Sequence, residues 1–292
     1  MIYSIKNSEI KIEVNSLGAE LKSFFCQKEN IEYLWQGDPE FWNRSSPVLF
    51  PIVGKLLDDS YVYEHKKYSM TQHGFARDKG FLLVEKTRNL LKFLLKDDEE
   101  TFKNYPFSFE LYITYELKDR NLKIYYELVN KSLNKMYFSI GAHPAFNWPL
   151  TNKNEKQEDY YFEFEELKEN TLERLPLLEN GISTKFEKIS LNENKLNISK
   201  DTFKDDAIIF KNENINSIKL KNSVNNKFIQ VDFEGFSYLG LWSKPSGAPF
   251  VCIEPWYGIA DFTNHNKNLE EKEGINILEK DETFSSFYSI KV

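Results

Sequence analysis

The chain has 292 residues, with 45 acidic against 38 basic side chains, a formal charge of −7, and a 41% hydrophobic share that includes 24 Phe and 16 Tyr. That composition excludes a disordered or fibrous chain and supplies ample apolar mass for a core. A net negative chain with no stripe of Lys and Arg excludes nucleic acid as the partner, and no apolar run approaches the roughly 20 residues that cross a bilayer as a helix.

Residues 1–14 alternate polar and apolar side chains, with no basic segment followed by an apolar one. This points to a first pair of strands, no membrane association and a cytoplasmic protein, with Cys26 and Cys252 kept as reduced thiols. Asp38 followed by Pro39 is an N-cap followed by a proline at the first helical position, which predicts a short helix over 38–43. Residues 81–95 alternate again. Asp98 to Asn104 predicts a second short helix. The clearest pattern follows: Phe109, Leu111, Ile113, Tyr115 and Leu117 alternate with polar residues, then come Lys118-Asp119-Arg120-Asn121, then the alternating set Leu122, Ile124, Tyr126 and Leu128. Two period-two runs around a short polar turn predict an antiparallel hairpin. Further strands are expected at 136–141, 208–211 and 228–233. Residues 152–159 read as a polar surface loop and 170–200 as an irregular excursion across a sheet. The expectation is an all-β protein, a large antiparallel β-sandwich forming one domain over 1–292.

Polar groups stand at four places where apolar or turn-forming neighbours make them unexpected. Arg44 precedes the stiff, proline-punctuated run Pro47-Val48-Leu49-Phe50-Pro51. His73 and Arg77 flank Gly74 in Gln72-His73-Gly74-Phe75-Ala76-Arg77, where glycine permits a tight turn. His143 lies in Gly141-Ala142-His143-Pro144, at a strand end held extended by the following proline. Glu254 follows Val251-Cys252-Ile253 and precedes Pro255. A carboxylate ending an apolar strand is desolvated or paired, and either shifts its pKa. Trp256 and Tyr257 beyond it are side chains of the kind that stack on sugar rings. Each of these polar residues has an ordinary alternative: an exposed Arg, a histidine bonded to a nearby carbonyl, or a carboxylate facing water at a sheet edge. No metal-ligand spacing joins the four histidines, and the chain has no GxGxxG, Walker A or G-x-S-x-G element. The expected site therefore has no metal and no cofactor, and aromatic residues beside isolated His and Glu favour a neutral, hydroxyl-rich ligand.

Taken together and in order, these segments resemble the aldose 1-epimerases, the galactose mutarotase-like proteins, over nearly the whole chain. The wording of Pro47–Pro51, of His73-Gly74-Phe75-Ala76-Arg77 and of Gly141-Ala142-His143-Pro144-Ala145-Phe146 is most similar to the LacX-like branch. The resemblance implies a sugar bound in an open cleft on a concave sheet, with Glu254 as general base and His143 as general acid. It further implies sugar-binding roles for Arg44, His73 and an aspartate of Asp205-Asp206, of which Asp206 adjoins the next strand directly; Arg77 is a further candidate. Three rival functions remain at this level. One is epimerisation of hexose 6-phosphates, which needs clustered cations such as Arg44 and Arg77. Another is non-catalytic sugar binding, which does not need an acid–base pair. The last is glycoside hydrolysis, which ordinarily needs two opposed carboxylates.

Overall fold

In a computed structural model of the chain, which describes residues 1–151, 154–165, 167, 169–212 and 214–292, about 49% of residues are in strands and 6% in helices. The predicted hairpin lies within a nine-stranded antiparallel sheet. Strands Phe109–Lys118 and Asn121–Asn130 pair along their whole length, and Lys118 faces Asn121 across a two-residue turn. Asp119, at φ 51°, takes the left-handed conformation which that turn needs. Burial alternates along both strands, so Phe109, Leu111, Ile113 and Tyr115 enter the core while their neighbours stay at the surface.

The second large sheet has eight strands. It includes Ile208–Lys211, Tyr238–Trp242, Phe250–Tyr257, Ile140–Ala142 and Val48–Leu49, with Ala145–Asn147 added beside Phe250–Tyr257. Leu239, Leu241, Val251 and Ile253 of this sheet share one apolar cluster with Leu111, Ile113 and Tyr115 of the first. The two sheets thus form a sandwich around a common core. The alternate residues Tyr238 and Trp256 fall in a second cluster, and Phe250 and Cys252 in a third. Phe250–Tyr257 is therefore buried on both faces, and its even-numbered side chains point away from the main core, Glu254 and Trp256 into the functional cleft.

The expected strands at 2–14, 81–95, 136–141, 208–211 and 228–233 are present. The expected helix forms as Glu99–Asn104, capped by a reciprocal pair: Asp98 accepts from the Thr101 N–H (2.6 Å) and Thr101 Oγ1 accepts from the Asp98 N–H (2.9 Å). The helix expected over 38–43 does not form. Asp38 caps a single turn, accepting from the Glu40 N–H at its side chain and from the Phe41 and Trp42 N–H groups at its carbonyl. The chain then leaves the helical path: the Trp42 carbonyl accepts from the Trp35 indole N–H (2.9 Å), and the Ser45 and Ser46 N–H groups donate to Glu20 Oε1; one turn alone does not repay helix nucleation. Residues 170–200 are more ordered than the irregular pattern suggests. Thr171–Leu175 joins the eight-stranded sheet beside Ile208–Lys211, Glu187–Ser190 forms its edge, and Leu177–Leu178 pairs with Gly181–Ile182 in a small hairpin. Of the polar loop expected at 152–159, Asn152 and Lys153 lie outside the described residues.

Candidate active site

Strand Phe250–Tyr257 pairs on one side with Tyr238–Trp242, which sets Gly240 opposite Glu254. On its other side the chain pairs twice, as Gly141 with Trp256 and as Ala145 with Cys252. The intervening residues His143 and Pro144 leave the ladder, but the register runs on through the gap, so His143 falls across from Glu254. Its Nε2 lies 3.2 Å from Glu254 Oε2. The proline that pins the backbone of His143 also supplies a carbonyl to the Ile253 N–H.

Both groups are buried, with 7% of His143 and 2% of Glu254 exposed. Three rings box in the imidazole: Trp42 at 4.8 Å between centroids, and His73 and Trp242 each at 5.6 Å, nearly perpendicular. Burial raises the Glu254 carboxyl well above its ordinary range, and the Asp206 charge adds to this. The Trp256 indole opposes the rise, although its N–H makes no well-formed hydrogen bond to any protein atom. Burial pushes His143 down to about 3, a backbone hydrogen bond opposes the fall, and the positive charges of Arg77 and Arg44 add to it. Reference values of about 4.3 and 6.5 suggest a charged Glu and a partly protonated His near neutrality. Burial reverses both tendencies and favours the neutral pair with one proton on Glu254.

His73 is held from both sides by Gly54. The His73 N–H donates to the Gly54 carbonyl (2.9 Å), and the Gly54 N–H donates to His73 Nδ1 (3.1 Å). The second bond leaves the proton of a neutral ring on Nε2. His73 and Gly74 have φ of 66° and 69°, and a β-carbon at Gly74 would stand 2.3 Å from the Phe50 carbonyl oxygen. The glycine is what lets the His73 turn lie against the proline-rich run. Burial, reinforced by the His143, Arg77 and Arg44 charges, keeps His73 neutral.

These side chains open on one cleft of about 1130 Å³, lined by His73, Arg77, His143, Asp206 and Glu254 among others. Five of the six expected site residues thus share a cleft. Arg44 does not line it. Its guanidinium bonds Asp78 (2.7 Å) and approaches the Arg77 carbonyl, so it stands behind Arg77 and acts on the histidines through its charge. Asp206 lines the cleft and Asp205 does not, which separates the two neighbouring carboxylates. Trp256 lines the cleft, while Tyr257, one residue on, faces the other side and bonds Ser286 (2.9 Å). Adjacent residues of a strand cannot serve the same face.

Sequence reasoning did not find Trp42 and Trp242, the hairpin Leu177–Ile182, or the facing pair Asp58 and Lys267, all of which reach the cleft wall. The alternation of Tyr238, Gly240 and Trp242 was an available signal for Trp242. Cys252 lies below the pair, with its sulfur, a His143 nitrogen and a Glu254 oxygen all within 4.8 Å of one another. The chain distance between His143 and the other two hides this set from any search by short spacing.

The sequence of residues 1–275 matches the family model described as aldose 1-epimerase. The chain belongs to the aldose 1-epimerase family. It is 33% identical to the plasmid-encoded protein LacX of Lactococcus lactis subsp. lactis, over 100% of this chain and 99% of that protein. Its structure matches that of a galactose mutarotase related enzyme from Lactobacillus acidophilus with a TM-score of 0.94 at 38% identity, covering 100% of this chain and 97% of the other. A galactose mutarotase-like protein from Lactobacillus casei matches with a TM-score of 0.91 at 31% identity, covering 100% and 99%. The fold expected for aldose 1-epimerases is the fold observed. Among the described residues no helix is long and apolar enough to cross a membrane.

Proposed function

We propose that this member of the aldose 1-epimerase family is a mutarotase, interconverting the α and β anomers of an aldohexose, and that residues 1–292 act as one domain. The observation that carries the reading is the buried His143–Glu254 pair, 3.2 Å apart at the cleft.

Exchange of anomers requires opening of the hemiacetal. Glu254 takes the proton of the C1 hydroxyl, the C1–O5 bond breaks, and O5 takes a proton from His143. Rotation about C1–C2 presents the other carbonyl face, and closure returns both protons. The pair holds one proton throughout, so no cofactor, oxidant or covalent intermediate enters the balance. Moving that proton across the gap from carboxyl to imidazole arms the pair as carboxylate base and imidazolium acid. The raised carboxyl suits the role, because a stronger base removes a hydroxyl proton more readily. A positioned acid or base commonly contributes about 10²–10⁴-fold. Asp206, His73 and Arg77 are placed to bond sugar hydroxyls, and Trp42, Trp242 and Trp256 give apolar walls on which a ring can lie.

The cleft carries five carboxyl side chains, Asp58, Asp59, Glu179, Asp206 and Glu254, against the cations Lys55, Arg77 and Lys267, and Lys267 is bound to Asp58. That balance favours a neutral sugar over a hexose 6-phosphate. Polarimetry of fresh α-glucose and α-galactose beside their 6-phosphates tests the reading: accelerated exchange of the free sugars supports it, and no acceleration above buffer with any of them refutes it.

A further inference from the structure

We propose that His143, Cys252 and Glu254 form a binding site for a thiophilic divalent cation of the zinc class, and that the bound cation shuts off the acid–base pair. Three chemically different donors meet here: an imidazole nitrogen, a thiol sulfur and a carboxyl oxygen, all buried and all within 4.8 Å of one another. Their meeting follows from the strands. Cys252 and Glu254 are two residues apart on one strand and share its cleft face, and the register carries His143 across to them.

The geometry is close to what zinc takes. With bonds of about 2.0–2.1 Å to nitrogen and oxygen, a tetrahedral ion sets those ligands about 3.3 Å apart, and Nε2 and Oε2 are 3.2 Å apart. The sulfur, at a bond length of about 2.3 Å, needs to stand about 3.5 Å from each of them, a closure of at most about 1.3 Å from the present limit of 4.8 Å. Three protein ligands leave a fourth position open toward the cleft, to be filled by water or a sugar hydroxyl. Hard cations are poor occupants, since Mg²⁺ and Ca²⁺ select oxygen ligands.

The charges balance as well. On binding, the S–H bond of Cys252 breaks, a Zn–S bond forms, and the thiol proton passes to the buffer together with any proton on Glu254. Zn²⁺ with one thiolate and one carboxylate is neutral, which a buried site tolerates where a lone cation is expelled. The lone pairs then bound to the metal are those that the proposed reaction uses to move protons. The inhibitory half of the proposal rests on the mutarotase reading; the binding half does not.

Co²⁺ serves as the probe on the full-length chain, with Zn²⁺ as competitor. The expected result is one Co²⁺ per chain with an intense sulfur-to-cobalt absorption, displaced by one equivalent of Zn²⁺ and absent in Cys252→Ala. Zinc affinity should fall roughly 100-fold or more in that variant, beyond the loss typical of an outer-shell partner. Cys252→Ser, which keeps the side-chain size, gives the same comparison if the alanine variant melts early. Zn²⁺ should abolish anomer exchange in the wild type, whereas in Cys252→Ala the rate with Zn²⁺ should equal that variant's own metal-free rate. Absence of the sulfur band, or equal zinc affinity in wild type and variant, overturns the proposal. If the band forms but the metal-free protein exchanges no anomers, the mutarotase reading falls and the metal site stands. If exchange is present but blind to zinc and no band forms, the reverse holds.

Discussion

Gly240 lies beneath the Trp256 ring: a β-carbon on Gly240 would stand 2.4 Å from the indole. Gly141, on the strand at the other side, meets the same ring at 2.6 Å. The indole therefore spreads over two neighbouring strands whose glycines leave it room, and Glu254, two residues before it, sits opposite Gly240. Gly240→Ala should push the ring into the cleft. Overpacking of this kind costs about 1–3 kcal/mol. The expected outcome is a lower melting temperature together with a rise in KM, whereas a variant that loses stability with unchanged KM would show that the ring does not contact the sugar.

Removing the proposed base while keeping its shape gives the sharpest kinetic test. Glu254→Gln should lower kcat about 10²–10⁴-fold with little change in sugar affinity, and His143→Asn should do the same. The rates are to be read after subtracting spontaneous mutarotation in buffer. Wild-type acceleration retained in Glu254→Gln would remove the mechanism.

Most of the fold was legible because antiparallel strands with one solvated face write their geometry into a period of two, as at Phe109–Lys118. Phe250–Tyr257 broke that rule, being buried on both sides, and there the signal was the reverse: a single carboxyl amid apolar residues. Glu254 was visible for this reason, and His143 for its place at a strand end before Pro144. Their facing each other was not, because register is a property of two segments and neither contains it alone. Trp42 stayed hidden because the turn that places it resembles the start of a helix, and the bonds that hold the chain there come from other segments, from the Trp35 indole and the Glu20 carboxylate.

The two arginines should separate in kinetics. Arg77 lines the cleft, and its buried Nε has no hydrogen-bond acceptor, Asp78 Oδ2 standing 3.8 Å away, so a sugar hydroxyl is a natural acceptor. Arg77→Ala should raise KM by about tenfold or more, the effect of losing a hydrogen bond to a charged group. Arg44 is held by Asp78 outside the cleft lining, so Arg44→Ala should raise KM less. An Arg44 effect equal to or larger than that of Arg77 would mean that the sugar draws Arg44 into the cleft.

Lys272 and Asp261 form a fully buried ion pair, 2.8 Å apart. Lys272 also donates to the Ile259 carbonyl, and Asp261 accepts from the Leu57 N–H (2.9 Å). Burial lowers the Lys272 ammonium, and Asp261 opposes that fall. Lys272→Met leaves a buried carboxylate unpaired and should cost about 3–5 kcal/mol, whereas the double change Lys272→Met with Asp261→Asn should cost clearly less. Urea titrations of the single and double variants measure the difference; equal losses would show that the pair is not coupled.

Glu29 gives the pH prediction. Burial raises its carboxyl, but bonds from Lys227, Arg120 and Tyr33 outweigh this and bring it to about 2. Arg120 also holds the Val292 carbonyl (2.8 Å), so the carboxylate helps tie Val292 to the turn between strands Glu20–Cys26 and Ile31–Glu32. A folded value below the unfolded one means that the unfolded chain takes up the proton first. The stabilisation is therefore complete above about pH 5 and is lost as pH falls toward 2. Glu29→Gln should melt below the wild type at pH 7, and the gap should narrow steadily in scans at pH 5, 4 and 3. A gap that stays constant over that range would show that the charge of Glu29 contributes nothing and that only its packing matters.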